Sequence, residues 1–334
     1  MLIYNYGLII LLLNCVAHRT ICYNLKNISK INAHKLNDNK IYMNKWSSYN
    51  KLLRTENCAP TFMLNFLAGW LTNPSYKILL NINFWIFSLI TQLTMMNSMV
   101  INDLFDLKID LINNSNRPLV NKQISIKEAR CLYICITIII NIFSLVFFKN
   151  NNFYLHINTI NLILFLYTPI LKKILLIKNI TCASIVSSTL VMTSKSIMNN
   201  NLNDFVYELP NFNLIHITSR FLFMSSLYME LLLDIKDTKG DKENGILTVP
   251  IFFGERKTLD SLIIIFICNL LYHSNIFYKF KKYKLMSGFI LSNLIFIYNL
   301  IKLRYKSITD EKILSAAKQT TISLFIFIIS IIFT

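Results

Sequence analysis

Nine apolar segments dominate this chain. They lie at 59–75, 78–101, 131–149, 152–171, 174–194, 213–233, 258–278, 284–303 and 316–334, each long enough to cross the hydrocarbon of a bilayer or nearly so. A segment in lipid has no water for its backbone N–H and C=O groups, so it must close its hydrogen bonds internally as a helix. Composition agrees: 54% of the 334 residues are hydrophobic, 15% are charged and the mean hydropathy is +0.47, above what a water-soluble domain carries. The expectation is an all-α, multi-pass membrane protein of nine transmembrane helices. They form one domain over 58–334, because no polar connection is long enough to bury a core of its own.

The net charge of +17 raises the question of nucleic acid. The Lys and Arg build no basic helix face and no recognisable module, so no nucleic-acid partner is expected; positive loops beside membrane helices account for the charge. Seven cysteines without a CxxC pair indicate neither a disulfide framework nor a zinc site. Counting crossings puts the connections after helices two, four, six and eight on one face with the segment before helix one. That face receives Lys172, Lys173 and most of the loop Lys and Arg, which makes it the cytoplasm-equivalent side.

Ahead of the helices, Leu2–Ala17 is apolar and short, like a signal core. From His18 to Asn57 eight Lys and Arg face only Asp38 and Glu56. Residues 1–57 therefore read as a targeting leader. An organelle membrane is expected, a plastid bounded by extra membranes first, with the mitochondrial inner membrane or the endoplasmic reticulum as alternatives.

Two of the long connections carry the chemistry. Asn102-Asp103-x-x-Asp106-x-x-x-Asp110 ends the second apolar run, and Asp234-x-x-Asp237-x-x-x-Asp241 ends the sixth. In each, carboxylates recur at i, i+3 and i+7, which puts them on one side of a helix. Such clusters repel one another unless a positive charge sits among them. Mg²⁺ does this with one or two carboxylates and completes its shell with water and substrate phosphates. Two acidic clusters thus suggest ions bridging to a diphosphate. Cleaving an allylic carbon–diphosphate bond builds negative charge on the leaving group, which cations must neutralise. Arg117 can clamp phosphate oxygens in a bidentate manner, while Lys172 and Lys178 would act as point charges. Tyr167 could hydrogen-bond a phosphate oxygen or present its ring to an allylic cation. Glu230, one turn deeper than Asp234 in an apolar helix, needs a partner, either Arg220 or the acceptor.

Taken together, the Asn102–Asp110 motif with Arg117-Pro118-Leu119, the Asp234–Asp241 motif running on through Gly245, Thr248, Pro250 and Gly254, Tyr167-Thr-Pro-Ile-Leu-Lys172, and Arg54-Thr-Glu-Asn57 resemble the UbiA superfamily of intramembrane prenyltransferases. The chain departs from many members at Asn121, where they have glycine. The resemblance implies nine helices around a central cavity, with the two Asp motifs at its polar mouth and Mg²⁺ holding the diphosphate of a prenyl donor. It implies Asn102, Asp106, Asp237 and Asp241 as direct metal ligands. Asp103, Asp110 and Asp234 would complete the metal sites, orient ligands or assist acceptor deprotonation, and Arg54, Asn57, Arg117, Lys172 and Lys178 would hold the diphosphate. The implied reaction moves a prenyl group from its diphosphate to a lipophilic acceptor that is aromatic, tetrapyrrole or glycerophosphate. The motifs look most like the chlorophyll synthase, homogentisate prenyltransferase and digeranylgeranylglyceryl phosphate synthase branches. An ion-coupled transporter would put its acids at mid-membrane, whereas these lie at helix ends; an inactive scaffold would lack a ligand Asp, and none is missing.

Overall fold

A computed structural model of the chain describes residues 39–107, 110–111, 116–148, 153–198, 212–243, 245–305 and 308–332. Every regular element among them is helical: α1 (Asn39–Leu53), α2 (Cys58–Thr72), α3 (Ile82–Phe105), α4 (Ile126–Phe148), α5 (Phe153–Tyr167), α6 (Ile177–Met198), α7 (Phe212–Lys236), α8 (Thr238–Glu243), α9 (Val249–Phe253), α10 (Glu255–Lys279), α11 (Tyr283–Tyr305) and α12 (Asp310–Ile332).

Each of the nine apolar segments contains one of these helices, but the expected nine crossings are not all supported. Six helices among the described residues, α3, α4, α6, α10, α11 and α12, are long and apolar enough to cross a membrane. α2 and α5 have 15 residues each, short of the roughly 20 that a perpendicular crossing needs. α7 is long enough, but His216, Arg220, Ser225, Ser226 and Glu230 dilute its hydropathy.

Helix ends follow local chemistry. The Asn81 side chain accepts the backbone N–H groups of Asn83 and Phe84 and starts α3. At α4, Glu128 accepts the Ser125 N–H at 2.8 Å while Ser125 Oγ accepts the Glu128 N–H at 3.2 Å. This reciprocal capping box starts the helix five residues before the apolar run does. Gly254, at φ 92°, separates α9 from α10 in a conformation that a side chain would resist.

The chain divides into two compact units. One runs to Phe165 and adds Thr193–Phe205; the other comprises Leu166–Met192 and Val206–Thr334. In the first, α1 packs against α3. Leu52, fully buried, joins Val100, Leu119, Ile124 and Ala129 in one cluster. Lys45 pairs with Glu128 at 2.6 Å and Ser48 donates to Gln123 at 2.9 Å. Of the expected leader over 1–57, residues 45–53 make these contacts and residues 1–38 lie outside the described residues. Deeper in the unit, Asn65 bonds Thr91 and Thr193, and Asn97 bonds Thr137. These pairs tie helices together where lipid offers no competing partner.

In the second unit, α10, α11 and α12 pack consecutively and α7 packs on α12. Phe221, Tyr228, Phe266, Phe289, Phe296 and Phe327 fill the centre, with ring centroids as close as 4.3 Å between Phe221 and Phe327. Gly288 on α11 lies so close to α12 that a Cβ there would overlap the Ser330 side chain.

Candidate functional site

The first Asp motif ends α3 in the first unit. Asp103, Asp106 and Asp110 are all buried, at 2%, 7% and 4% exposure, which excludes a reading as solvated loop residues. Asp103 Oδ1 accepts two guanidinium donors, from Arg54 at 3.0 Å and from Arg117. Arg117 also brings its Nε to 3.7 Å from Asp110. Arg54 reaches this position because its backbone sits in the left-handed region, at φ 48° and ψ 52°, turning the chain sharply between α1 and α2. That conformation is unfavourable for a residue with a side chain, and it stands at a residue singled out from sequence. Asn102 is half-buried, one turn before Asp106. Asn57 starts α2, where its carbonyl accepts the Thr61 hydroxyl and its side chain makes no capping bond.

The second motif ends α7 in the second unit. Asp234 is buried, and both its oxygens are engaged: Lys178 donates to Oδ1 at 2.5 Å and Asn179 Nδ2 to Oδ2 at 2.8 Å. The two donors hold the Asp234 carboxylate from both sides. Asp237 is exposed, 3.5 Å from Lys236. Asp241 is half-buried. Burial holds its carboxyl above the ordinary range against the pull of Lys178, and Asp234 and Asp237 push it further while Lys172 opposes them.

Tyr167 and Glu230 belong to this same cluster. Cys182 donates to the Tyr167 hydroxyl at 3.1 Å, and Glu230 interacts electrostatically with Lys178 and Asp234. The alternative of an Arg220 partner for Glu230 does not fit. Ten residues along one helix separate them by roughly 15 Å. Asn179 and Cys182 escaped the sequence reading. Their signal was present, since Lys178 and Cys182 are four apart and so share a helix face, and Asn179 is a polar residue in an apolar segment.

Arg117 and Lys178, both expected on diphosphate, thus bind carboxylates. Each has donors to spare, because a guanidinium carries five N–H groups and an ammonium three. The donor set also fits a hard cation. It consists of carboxylate and amide oxygens, and Asp103 Oδ2 is buried without a hydrogen-bond partner. Among the described residues no three His, Cys, Asp or Glu side chains converge to enclose an ion.

The described residues thus form an all-helical membrane protein with two acidic helix ends, each carrying ion pairs to cationic side chains. The chain belongs to the UbiA prenyltransferase family, whose profile matches residues 58–328, and it is a prenyltransferase. It is 27% identical over 235 residues to the digeranylgeranylglyceryl phosphate synthase of Methanosphaera stadtmanae, covering 69% of this chain and 79% of the relative. It is 27% identical over 220 residues to that of Methanocaldococcus jannaschii, covering 65% and 71%. A UbiA homologue from Archaeoglobus fulgidus, solved with GPP and Mg²⁺, superposes with a TM-score of 0.58 at 19% identity, over 86% of this chain and 100% of that one. A solved structure concerning digeranylgeranylglyceryl phosphate synthase gives 0.64 at 22% identity, over 86% and 98%. These two likenesses speak for the fold. The protein is an integral, multi-pass membrane protein.

Proposed function

We propose that the chain transfers a prenyl group from its diphosphate to a lipophilic acceptor with Mg²⁺ as cofactor, and that the acceptor is a glycerophosphate. The observation that carries the reading is the pair of acidic helix ends, each already organised by basic side chains. The acceptor class is supported by the two relatives above, each named for digeranylgeranylglyceryl phosphate synthesis. Those relatives are archaeal, which lends no support to a tetrapyrrole acceptor or a plastid address.

In this reading Asn102, Asp106, Asp237 and Asp241 offer oxygens to Mg²⁺, which when bound neutralises charge on the leaving diphosphate. Arg54 and Arg117 keep Asp103 and Asp110 in place, and Arg117 turns its unused N–H groups to phosphate oxygens. Lys178 and Asn179 clamp Asp234, which orients the start of the second motif. Lys172 adds positive charge beside Asp241. Tyr167, positioned by Cys182, presents its ring or hydroxyl to the allylic end, and Glu230 accepts a hydrogen bond or proton from the acceptor.

Membranes containing the chain, supplied with labelled prenyl diphosphates of several lengths and a panel of glycerophosphate and aromatic acceptors, should yield labelled product only with Mg²⁺. EDTA, Asp106→Ala and Asp237→Ala should each abolish it. Product formed equally in EDTA would overturn the metal role, and product on aromatic acceptors alone would overturn the acceptor class.

A further inference from the structure

The tip joining α10 to α11 is the sequence Tyr278-Lys-Phe-Lys-Lys-Tyr-Lys284, and every one of its side chains is exposed. It holds Lys279, Lys281, Lys282 and Lys284 and no acidic residue. Among the described residues none of the four lysines makes an ion pair. The aromatic members stand out as far as the lysines: Phe280 is 71% exposed, Tyr278 63% and Tyr283 53%. Lys281, at φ 55°, makes the tight reversal between the two helices.

Position limits what such a tip can meet. α10 and α11 are both long and apolar enough to cross a membrane, and only residues 280–282 join them. The Arg304–Asp260 pair, at 2.6 Å, ties the end of α11 to the start of α10, so the two run antiparallel. The tip therefore lies at headgroup depth. Within this unit the second Asp motif is at the other end: α9, which follows that motif, packs on both α7 and the start of α10. The 25 residues of α10 place the tip roughly 37 Å from that start. The lysines consequently do not serve the diphosphate chemistry.

Exposed phenylalanine and tyrosine rings are unfavourable in water and favourable in the headgroup layer. Four uncompensated ammonium groups in the same layer favour negative phosphate over a zwitterionic surface. We propose that this tip is a docking surface for anionic phospholipid headgroups in the leaflet opposite the second Asp motif. Its aromatic rings would seat the turn at the interface, and its lysines would recruit the lipid charge.

The test uses the full chain carrying Phe280→Trp, reconstituted in phosphatidylcholine with a small, fixed fraction of brominated lipid. The fluorescence of the three native tryptophans, measured on the unmodified chain, is subtracted. Brominated phosphatidylglycerol should quench the introduced indole several-fold more than the same fraction of brominated phosphatidylcholine. Each lysine contributes up to about five-fold, and added salt should shrink the ratio. Lys→Gln at all four positions should bring the ratio to one, and Lys→Arg at all four should preserve it. Equal quenching by the two lipids with the lysines intact, or a ratio that survives Lys→Gln, would overturn the proposal. If the fourfold Gln variant does not reconstitute, the Phe280→Trp ratio by itself still decides.

Discussion

At the scale of single residues, the two motifs differ in how they hold their charge. Asp103 is buried between Arg54 and Arg117, so removing Arg117 leaves the carboxylate with Arg54 alone. Leaving a buried charge with no partner typically costs about 3–5 kcal/mol, an upper bound here because Arg54 stays in place. Arg117→Gln should therefore lower thermal stability as well as activity, and Asp103→Asn in the same chain should restore much of the stability but not the activity. A melting series of the two single variants and the double would check this; additive losses would argue against the pairing. In the second motif, Asn179→Leu leaves Asp234 short of one donor and should lower turnover, with a smaller effect on prenyl-diphosphate affinity, read as a kcat against KM split. Asp241 adds a pH dependence. Its raised carboxyl keeps its proton to higher pH than an ordinary aspartate, and a cation binds only the carboxylate. The Mg²⁺ concentration needed for half-maximal activity should therefore climb as pH falls through the acidic range, beginning at a higher pH than an ordinary aspartate would set. An unchanged Mg²⁺ requirement over that interval would remove Asp241 from the metal set.

At the scale of elements, α1 and the α11–α12 contact carry the sharpest expectations. α1 buries Leu52 against the loop that follows the first motif and delivers Arg54 to Asp103. A chain beginning at Cys58 retains every apolar segment and lacks both. It should insert into membranes yet lose activity, whereas one beginning at Asn39 should keep it. Leu52→Ala should cost about 2–5 kcal/mol, read as a lower melting temperature in detergent. At the other contact, Gly288→Ala should destabilise by about 1–3 kcal/mol, because the added methyl meets Ser330 across two closely packed helices. Ser330→Gly should recover part of that loss, and a melting temperature unmoved by Gly288→Ala would show that the helices yield instead.

At the scale of the whole molecule, much was legible in the sequence because membrane physics leaves few choices. Lipid forces backbone hydrogen bonds inside each segment, so nine apolar stretches had to contain helices, and each does. Aspartates at i, i+3 and i+7 after an apolar run had to gather near a helix end. Hydropathy did not say which helices fully cross, since 15-residue α2 and α5 read much like their longer neighbours. It also missed α1, a polar helix whose reason to fold is the Leu52 cluster supplied by residues far along the chain. The sequence by itself determined the helical membrane class, the two carboxylate faces and the basic residues available to them, because each depends on spacing within a single helix. Only the tertiary structure decided that Arg54 and Arg117 meet on Asp103, that Lys178 and Asn179 occupy Asp234, and that Cys182 supports Tyr167. Those pairings join residues 14 to 56 positions apart, and nothing in local spacing chooses among the many cations that could have served.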